Sequence, residues 1–351
     1  MAQLIYRAGI LGASGYTGAD MIRLALDHPA LEITVLTGER KAGQRVGDIW
    51  PHLAIYNGLP DLVAIDDVNW SDLDVVFCCL PHATSQAVIK RIFDVASPKV
   101  IDLSADFRLR DPAVYAEWYG NSHVALDLQA EAVYGLTEFY RDAIAQARLV
   151  ACPGCYPTAA LLALLPLLDK GLIAADGIII DAKSGVSGAG RSLKEQNLFP
   201  EIAEAMHPYG LGRHRHMPEI EQELSRVAGG AVTASFTPHL VPMNRGELET
   251  IYVTLAPGQT AETLKATLAE RYQGAPFVHV LDGARAPATR MVRGSNHCVL
   301  NVFADRIDGR AIIVAAIDNL VKGSSGQALQ NMNVMLGLDE TAGLSQVALF
   351  P

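Results

Sequence analysis

No stretch of this 351-residue sequence is apolar over the length of a membrane span, and both cysteine and charge are scarce. The longest apolar run, Ala159–Leu168, covers ten residues and contains Pro166, whereas a spanning helix needs about 20. The N-terminus lacks the basic segment and apolar stretch of an export signal. Five cysteines are few, and an odd number, for a disulfide-stabilised secreted protein. We therefore expect a cytoplasmic protein with reduced thiols and no membrane partner.

Positive charge is also in short supply. The chain has 28 Lys and Arg against 38 Asp and Glu, which gives a net charge of −10. A nucleic-acid-binding protein needs a basic face, so nucleic acid is excluded as a partner. Only 19% of the residues are charged, whereas half are hydrophobic. This composition favours a sheet buried on both faces, a buried oligomer interface, or both. We expect the partner to be a small-molecule substrate.

Short apolar runs alternate with helical patterns in the first 150 residues. The strand-like runs are Leu4–Ile10, Leu31–Thr37, Val75–Leu80 and Lys99–Leu103, and the helical patterns are Thr17–His28 and Ser85–Ala96. This alternation predicts a parallel sheet with helices on both faces.

The pattern changes near residue 177, where strand-like runs follow one another with fewer helices between them. These runs are Gly177–Ala182, Ala234–His239, Leu248–Ala256, Phe277–Leu281, His297–Ala304 and Arg310–Ile317, and a helical pattern follows at Ser325–Leu336. The predicted fold class is therefore α/β, with a Rossmann-type doubly wound nucleotide-binding domain. A second, α+β domain with a mixed, largely antiparallel sheet follows it.

Glycine recurs at every third position, from Gly9 to Gly18, where the first strand meets the first helix. Glycine permits a tight turn and lets backbone N–H groups approach a pyrophosphate at the helix N-terminus. The spacing differs from GxGxxG, so an ordinary glycine turn is the alternative, but the strand–turn–helix context favours a dinucleotide site. The residues predicted to bind the cofactor here are Gly12, Ser14, Gly15, Tyr16 and Thr17.

The end of the second strand decides which dinucleotide is bound. Thr37, Arg40 and Lys41 together suit a 2′-phosphate, which predicts NADP(H). Glu39 is of the residue type that holds the ribose hydroxyls of NAD, and a solvated loop is the further alternative for each of these residues.

Cys155 follows a short strand and precedes an apolar helix whose first turn holds Pro157. Helix N–H groups and the helix dipole favour a thiolate at this position. With Cys152 it forms a Cys-x-x-Cys pair, so a zinc site, a redox pair and inert thiols are the alternatives. No second ligand pair accompanies it, so we expect no metal. A thiolate nucleophile in a nicotinamide-dependent protein suggests reduction of an acyl-thioester to an aldehyde.

Such chemistry also needs a proton donor and cationic groups for an anion. His214 and His216, on the same side of a segment expected to be extended, supply candidate acid/base groups, and we prefer His216, with His214 orienting it or the substrate. A solvated basic turn is the alternative. Arg108, Arg191 and Arg245 are candidate substrate-binding residues, although a surface ion pair is equally compatible with each.

The motifs together resemble the N-acetyl-gamma-glutamyl-phosphate reductase family of arginine biosynthesis and, more distantly, aspartate-semialdehyde dehydrogenases. The segments that carry the resemblance are GASGYTGA, LPHATS, DLSADFRL, YGLTE, PGCYPTA, SGVSGAGR, HRHMPEI, PHLVPMNRG and SGQALQNMN. The family usually has asparagine three residues before the nucleophile, where this chain has Cys152.

The resemblance implies NADPH-dependent reduction of N-acetyl-L-glutamyl 5-phosphate to the 5-semialdehyde, with phosphate release, through a thioester on Cys155. It implies a homodimer or homotetramer, and it adds Ser187, Gly188 and Asn331 to the expected cofactor-binding residues. It also implies that the terminal helix returns to the nucleotide domain. We thus expect residues 1–151, joined by about 318–351, to form the NADP-binding domain, and residues 152–317 the catalytic and oligomerisation domain.

Three other functions are compatible with parts of the sequence. The first is reduction of a homologous acyl phosphate, such as a carrier-bound aminoadipyl phosphate of lysine biosynthesis, which the net negative charge disfavours. The second is a non-catalytic NADP sensor, which the intact Cys155 and the histidine segment disfavour. The third is a thiol hydrolase or acyltransferase, which the glycine turn disfavours.

Overall fold

The computed structural model describes residues 4–350, and the chain divides into two compact units. The first unit runs to Pro153 and includes Ser324–Ser345, and the second runs from Gly154 to Gly323 and includes residues from Gln346 onward. Within residues 4–350, no helix combines the length and the apolar character that crossing a bilayer requires.

The chain forms fourteen strands and eleven α-helices in the described residues. The strands are β1 (Tyr6–Leu11), β2 (Leu31–Thr37), β3 (Leu62–Val63), β4 (Val75–Cys78), β5 (Lys99–Asp102), β6 (Val133–Tyr134), β7 (Leu149–Ala151), β8 (Ile179–Gly185), β9 (His207–Pro208), β10 (Ser235–Val241), β11 (Glu247–Thr254), β12 (Val278–Val280), β13 (Cys298–Ala304) and β14 (Arg310–Ile317). The helices are α1 (Tyr16–Leu26), α2 (Val46–Ile49), α3 (Ser85–Val95), α4 (Pro112–Tyr119), α5 (Leu126–Glu131), α6 (Thr137–Gln146), α7 (Cys155–Asp169), α8 (Phe199–Ile202), α9 (Met217–Ala228), α10 (Ala261–Arg271) and α11 (Gly326–Met335).

The first unit is built on a seven-stranded sheet in the order β3-β2-β1-β4-β5-β7-β6. Every neighbouring pair is parallel, as the strand–helix alternation predicts. The strand order reverses between β1 and β4, and the crevice outside the carboxyl ends at such a reversal is where doubly wound sheets bind ligands. The predicted Rossmann-type sheet is confirmed, and its crevice lies beside the glycine turn.

The second unit has a seven-stranded mixed sheet in the order β12-β13-β14-β11-β8-β10-β9. Four of its neighbouring pairs are antiparallel and two, β12–β13 and β8–β10, are parallel. The prediction of a mixed, largely antiparallel sheet is therefore confirmed. Helix α7 packs against β11 and β14, and α10 packs against β13.

Two local predictions are wrong. Strand β8 runs to Gly185 instead of ending at Ala182, because its pairing with β10 and β11 continues through Ser184. The segment before α9 is a turn rather than an extended stretch, and His216 has α-helical backbone angles at the N-cap of that helix.

Alternation along the second sheet gives it two different faces. Positions such as Ile180, Ile251 and Ile313 are fully buried on the helix-covered face. Tyr252 and Val314 lie on the opposite face, which is half-buried along the central strands. Strand β11 departs from the usual apolar-in pattern, because two glutamates lie on its buried face.

Helix α7 contains Pro166, which has no N–H group to donate to the carbonyl of Leu162 one turn earlier. Tyr272, which follows α10, donates its hydroxyl hydrogen to that carbonyl oxygen at 2.5 Å. Tyr272 is buried, so the bond is shielded from water. The side chain of the residue that follows α10 thus donates the hydrogen bond that Pro166 cannot supply to this carbonyl.

We expect Tyr272→Phe to lower the free energy of unfolding by about 1–3 kcal/mol, because a buried carbonyl loses its donor. The same substitution in a Pro166→Ala background should cost less, because alanine supplies the backbone N–H group that proline lacks. Urea denaturation of the four proteins in this cycle measures the difference. Equal costs in both backgrounds would show that the carbonyl does not depend on Tyr272.

Candidate active site

The glycine turn after β1 has the geometry of a phosphate-binding turn. Gly12 has a φ of +79°, and a Cβ added there would lie 2.5 Å from the carbonyl oxygen of Cys79. A Cβ on Gly18 would lie 2.5 Å from the carbonyl oxygen of Gly12, so α1 packs on the turn only if residue 18 is glycine. Thr37 fixes the turn from β2, since its Oγ1 accepts the Gly12 N–H at 3.1 Å. Both close approaches explain the glycines and keep the backbone open to a pyrophosphate.

The remaining predicted phosphate-binding residues, Ser14, Gly15, Tyr16 and Thr17, are half-buried at the start of the eleven-residue helix α1. The first-turn N–H groups of a helix suit an anion. Trp50, which the sequence analysis did not single out, donates its indole N–H to the carbonyl of Ala13 at 2.9 Å and stacks obliquely with Tyr16. Nothing in the sequence around Trp50 indicated that it would contact the glycine turn.

The structure distinguishes Glu39 from the basic residues that follow it. The Glu39 carboxylate accepts the backbone N–H of Ile65 at 3.0 Å, whereas Arg40 and Lys41 are exposed on the same turn of 3₁₀-helix. A cavity of about 390 Å³ lies beside this turn and against α3. Its lining residues are Glu39, Ile65, Asp66, Thr84, Ala87, Val88 and Arg91. The residues that line this cavity leave room for the adenosine end of a dinucleotide. Arg40 and Lys41 follow Glu39 directly in the chain but are not among the lining residues.

Cys155 is the first residue of α7 in the second unit and is partly exposed. The N–H of Gly154, the N-cap residue, donates to the carboxylate of Glu219 at 2.8 Å, and Glu219 is buried. The Gly154 carbonyl accepts both the N–H and the hydroxyl of Thr158. The first turn of α7 is therefore held from two sides, with its thiol at the positive end of the helix dipole.

Both candidate histidines pack against the neighbour of Cys155 in the chain. The ring centroids of His214 and His216 lie 5.8 and 5.7 Å from that of Tyr156, and 4.9 Å from each other. Burial, with a smaller contribution from Arg215, lowers the pKa of His214 to about 4. His214 Nδ1 accepts the backbone N–H of His216 at 3.2 Å, so His214 is a neutral acceptor that orders the turn. His216 is the better candidate for proton transfer.

A buried carboxyl that the sequence analysis missed lies at the nucleophile. Glu247, at the start of β11, is fully buried. Burial raises its pKa to about 8, the nearby Cys155 thiol opposes the rise, and Asp318 adds to it. Neither oxygen of the Glu247 carboxyl has a hydrogen-bond partner in the described residues. Charged residues in a strand normally indicate the solvent face, so the sequence pattern gave no sign of this group.

The arginine candidates lie in three different settings. Arg245 approaches the buried Asp318 at 3.5 Å in the second unit, and Arg191 is exposed. Arg108, in the first unit, is buried and donates to the carbonyls of Cys152 at 2.6 Å and Leu103 at 3.0 Å. The structure therefore does not gather the three arginines into one cluster within either unit.

The segment around Arg108 forms a buried hydrogen-bond network in the first unit. Asp106 accepts the N–H of Ala83 and the hydroxyls of Ser85 and Tyr115, at 2.7–2.8 Å. Burial raises the pKa of Asp102, which accepts a bond from Ser104, to about 6. These contacts fix the loops after β4 and β5, so most of this motif is structural.

The remaining predicted cofactor residues differ in accessibility. Ser187 donates its hydroxyl hydrogen to the Asn244 carbonyl at 2.6 Å, and Gly188 is exposed on the same 3₁₀ turn. Asn331, on α11, is fully buried: its amide donates to the Gly135 carbonyl at 2.8 Å and to the Cys152 sulfur at 3.5 Å. Its side chain thus orders the first unit from within.

Metal ligation has no support in the described residues. Among residues 4–350, no three or more His, Cys, Asp or Glu side chains are arranged to hold a metal ion.

Comparison with known proteins gives matches to both units. The semialdehyde dehydrogenase NAD-binding domain matches residues 7–147, and the semialdehyde dehydrogenase dimerisation domain matches residues 155–319. The chain is 58% identical to an N-acetyl-gamma-glutamyl-phosphate reductase of Afipia carboxidovorans over 98% of both chains. It is 57% identical to a probable chloroplastic N-acetyl-gamma-glutamyl-phosphate reductase of Arabidopsis thaliana, over 98% of this chain and 85% of that one.

Solved structures give the same fold at low identity. Aspartate semialdehyde dehydrogenase II of Vibrio cholerae superposes with a TM-score of 0.73 and 17% identity, over 95% of this chain and 99% of that chain. The Candida albicans aspartate semialdehyde dehydrogenase with NADP superposes with a TM-score of 0.69 and 20% identity, over 95% and 98%.

Replacing Arg40 and Lys41 together with glutamine should weaken NADP(H) binding while NAD(H) binding changes little, because only the 2′-phosphate distinguishes the two cofactors. Loss of one charge-assisted contact costs about 1.5–3 kcal/mol. Fluorescence titration with each cofactor measures the effect. Arg45→Gln, in the same exposed loop, is the control and should leave both affinities unchanged. An equal loss for both cofactors would remove these residues from the 2′-phosphate site.

Proposed function

This chain belongs to the N-acetyl-gamma-glutamyl-phosphate reductase family of the semialdehyde dehydrogenases, and we propose that it reduces N-acetyl-L-glutamyl 5-phosphate to N-acetyl-L-glutamate 5-semialdehyde with NADPH, releasing phosphate. This is the third step of arginine biosynthesis. The observation that carries the proposal is 58% identity, over 98% of the chain, to a relative of that name. The relatives favour this substrate over an aminoadipyl phosphate.

Cys155 is the nucleophile in this proposal. Its thiolate attacks the acyl carbon, a C–S bond forms, and the C–O bond to phosphate breaks with the electron pair leaving on phosphate. Its position at the start of α7, with the preceding N–H fixed by Glu219, supports this role. NADPH supplies the hydride that reduces the resulting thioester.

His216 is the proton donor to the oxyanion that forms during reduction, and it recovers the proton as the aldehyde leaves. The neutral His214 positions it, since its Nδ1 accepts the His216 backbone N–H and both rings contact Tyr156. A histidine whose pKa is lowered to about 4 stays unprotonated near neutral pH and is a poor acid there.

Arg108, Arg191 and Arg245 are the proposed substrate-binding residues, because an acyl phosphate and a carboxylate both need cationic partners. The exposed Arg191, after the 3₁₀ turn that contains Ser187 and Gly188, has the accessibility that an anion requires. Arg245 and Arg108 have additional structural contacts, so their substitution affects both binding and local structure.

We propose the functional division that the sequence predicts, with residues 1–151 and about 318–351 as the NADP-binding domain and residues 152–317 as the catalytic and oligomerisation domain. The compact units differ from it near the C-terminus, because residues up to Gly323 and those from Gln346 onward belong to the second unit. The glycine turn, the cavity beside Glu39 and the exposed Arg40 and Lys41 support cofactor binding by the first part. Ser187, Gly188 and Asn331 complete the proposed cofactor-binding residues, with Asn331 acting through the loops it orders.

A cytoplasmic location completes the proposal. All five cysteines are thiols, which suits a reducing compartment. The Arabidopsis relative is named as chloroplastic.

The half-buried face of the second sheet is the proposed interface of a homodimer, from which a homotetramer can assemble. The match to a dimerisation domain covers this sheet. Leu248, Tyr252, Ile312 and Val314 give the face apolar side chains on its two central strands, β11 and β14. In a two-fold dimer the same face of both copies forms the interface, so the apolar side chains of this face would pack against their own counterparts.

Oxidation of N-acetylglutamate semialdehyde by NADP with phosphate, the reverse reaction, tests the activity. Cys155→Ser should abolish it with the fold and NADPH binding intact, whereas Cys152→Ser should retain substantial activity.

Mixing enzyme with the acyl phosphate in the absence of NADPH should release phosphate and leave an N-acetylglutamyl adduct on Cys155, detectable by intact-mass analysis. A fully active Cys155→Ser variant, or an adduct on Cys152 alone, would contradict the role of Cys155 as the nucleophile.

Val314→Lys should convert the oligomer to monomers, because a charge at the centre of the face loses its solvation on association. Light scattering coupled to size-exclusion chromatography gives the mass. Ile307→Lys, in the β13–β14 turn, makes the same chemical change at an exposed site and should leave the mass unchanged. An oligomer that persists in Val314→Lys would place the interface elsewhere.

A further inference from the structure

Asp318, the residue directly after β14, is a fully buried carboxylate in the second unit. Its Oδ2 atom accepts the backbone N–H of Gly294 at 2.6 Å. Its Oδ1 atom accepts the backbone N–H groups of Leu320 and Val321, at 2.9 and 3.1 Å. Burying a carboxylate is costly unless hydrogen-bond donors replace the water that it loses. Backbone donors therefore stabilise a negative charge at this point inside the unit.

The same carboxylate reaches one of the candidate substrate-binding arginines. Arg245 Nη1 lies 3.5 Å from Asp318 Oδ1, and the Arg245 side chain keeps 28% of its surface exposed, whereas that of Asp318 has none exposed. The ion pair thus has a buried anionic end and an accessible cationic end. A guanidinium carries its N–H donors in a planar fork, so it can contact a carboxylate and a second anion together.

The backbone on both sides of Arg245 is fixed by other contacts. Before it, the carbonyl oxygen of Asn244 accepts the N–H of Ser187 at 3.2 Å and the hydroxyl of the same residue at 2.6 Å. After it, the N–H of Gly246 donates to Asn319 Oδ1 at 2.8 Å. The Cα of Arg245 therefore has a set position, and the ion pair restricts the direction of its side chain.

Asp318 also shapes the turn that meets the nucleophile. Its backbone carbonyl accepts the N–H groups of Val321 and Gly323, at 3.2 and 3.0 Å. A Cβ on Gly323 would lie 2.7 Å from that of Cys155, so the end of this turn packs on the first residue of α7. The residue that contacts Arg245 thus belongs to the same turn that contacts Cys155.

We propose that Asp318 is a positioning residue, whose carboxylate orients the Arg245 guanidinium toward an oxyanion of the substrate. The inference rests on the proposed function, in which Arg245 binds substrate. The oxyanion is a phosphate or a carboxylate, since N-acetylglutamyl phosphate carries both groups. Asp318 acts through Arg245 and does not touch the substrate, because its side chain is wholly buried.

Two features of the pair favour orientation over a merely structural contact. An arginine side chain has many rotamers, and ordering it during binding costs conformational entropy. A carboxylate that holds the guanidinium before the substrate arrives removes part of that cost. The Asp318 charge is stabilised by backbone N–H groups, so it does not depend on Arg245 as its counterion. The accessible end of the pair can therefore serve the substrate.

The reverse reaction tests the proposal, because it separates the two oxyanions. Inorganic phosphate and N-acetylglutamate semialdehyde, which carries the carboxylate, are then different substrates with separate KM values. Arg245→Gln should raise one of these two KM values about tenfold or more, the effect of losing a charge-assisted contact. Asp318→Asn should raise the same KM by about threefold to tenfold, the effect of ordering one long side chain, while the KM for NADP stays unchanged. The KM that rises identifies the oxyanion.

A double-mutant cycle separates orientation from local structure. Asp318→Asn should raise the KM no further in the Arg245→Gln background, because the group that it orients is absent. An equal rise in both backgrounds, or no rise in either KM with Asp318→Asn, would overturn the proposal. Asp308→Asn makes the same chemical change at an exposed position between β13 and β14, and this control should leave all three KM values unchanged.

A second measurement leaves Asp318 intact, so it remains decisive if Asp318→Asn does not fold. In Arg245→Ala, millimolar guanidinium should restore part of the lost activity, because the buried carboxylate attracts a cation into the space that the side chain leaves. Urea has the same planar shape without the charge and should restore none. Equal effects of guanidinium and urea would contradict the orienting role of the carboxylate.

Binding without turnover keeps the failure of this inference distinct from that of the proposed function. Calorimetric titrations with inorganic phosphate and with N-acetylglutamate measure each oxyanion directly. If the wild type oxidises no semialdehyde, yet Asp318→Asn weakens binding of one anion only when Arg245 is present, the proposed function fails and the orienting role stands. Normal turnover without this coupling would overturn the orienting role alone. The absence of both would overturn both.

Discussion

The close approach of Gly323 to Cys155 is the constraint on which the rest of the second unit's site depends. A Cβ at residue 323 would lie 2.7 Å from the Cβ and 3.1 Å from the Cα of Cys155, the first residue of α7, and the shorter of these distances is too close for a real Cβ. The glycine therefore sets how near the start of α7 lies to the end of β14. The hydrogen bond between Gly154 and Glu219 fixes the same turn from the other side.

Short-range patterns in the sequence predicted those features that depend on residues close together in the chain. The turn around Gly12, the parallel sheet and the position of Cys155 at a helix start all follow from short-range spacing, and the structure has each of them. The positions of His214 and Tyr156 side by side could not follow from spacing, because the two residues are far apart in the chain. The expected extended shape of the histidine segment was wrong because the N-cap of α9 imposes a turn.

The buried carboxyl groups were harder to predict from the sequence than the glycine turn or the sheets. Strand patterns are read on the rule that charged residues face solvent, and β11 reverses this rule at Glu247 and Glu249. Glu39 shows the same limitation in the first unit. Its residue type suggested a ribose contact, whereas its carboxylate caps the backbone at Ile65. In each case a tertiary contact, and not the residue type, decides what the carboxyl does.

The path of the chain has a consequence for how such a molecule is built. The second unit begins at Gly154 and its main segment ends at Gly323, and the residues at these two ends touch through Cys155. A segment whose ends meet can be inserted into a host chain at little cost in chain entropy, and such insertions are tolerated where termini are close. In chain order, the second unit is an insertion into the first, because Ser324–Ser345 belongs to the first unit again. Cys155 is the second residue of the inserted segment, so replacing that segment with another would also replace the proposed nucleophile.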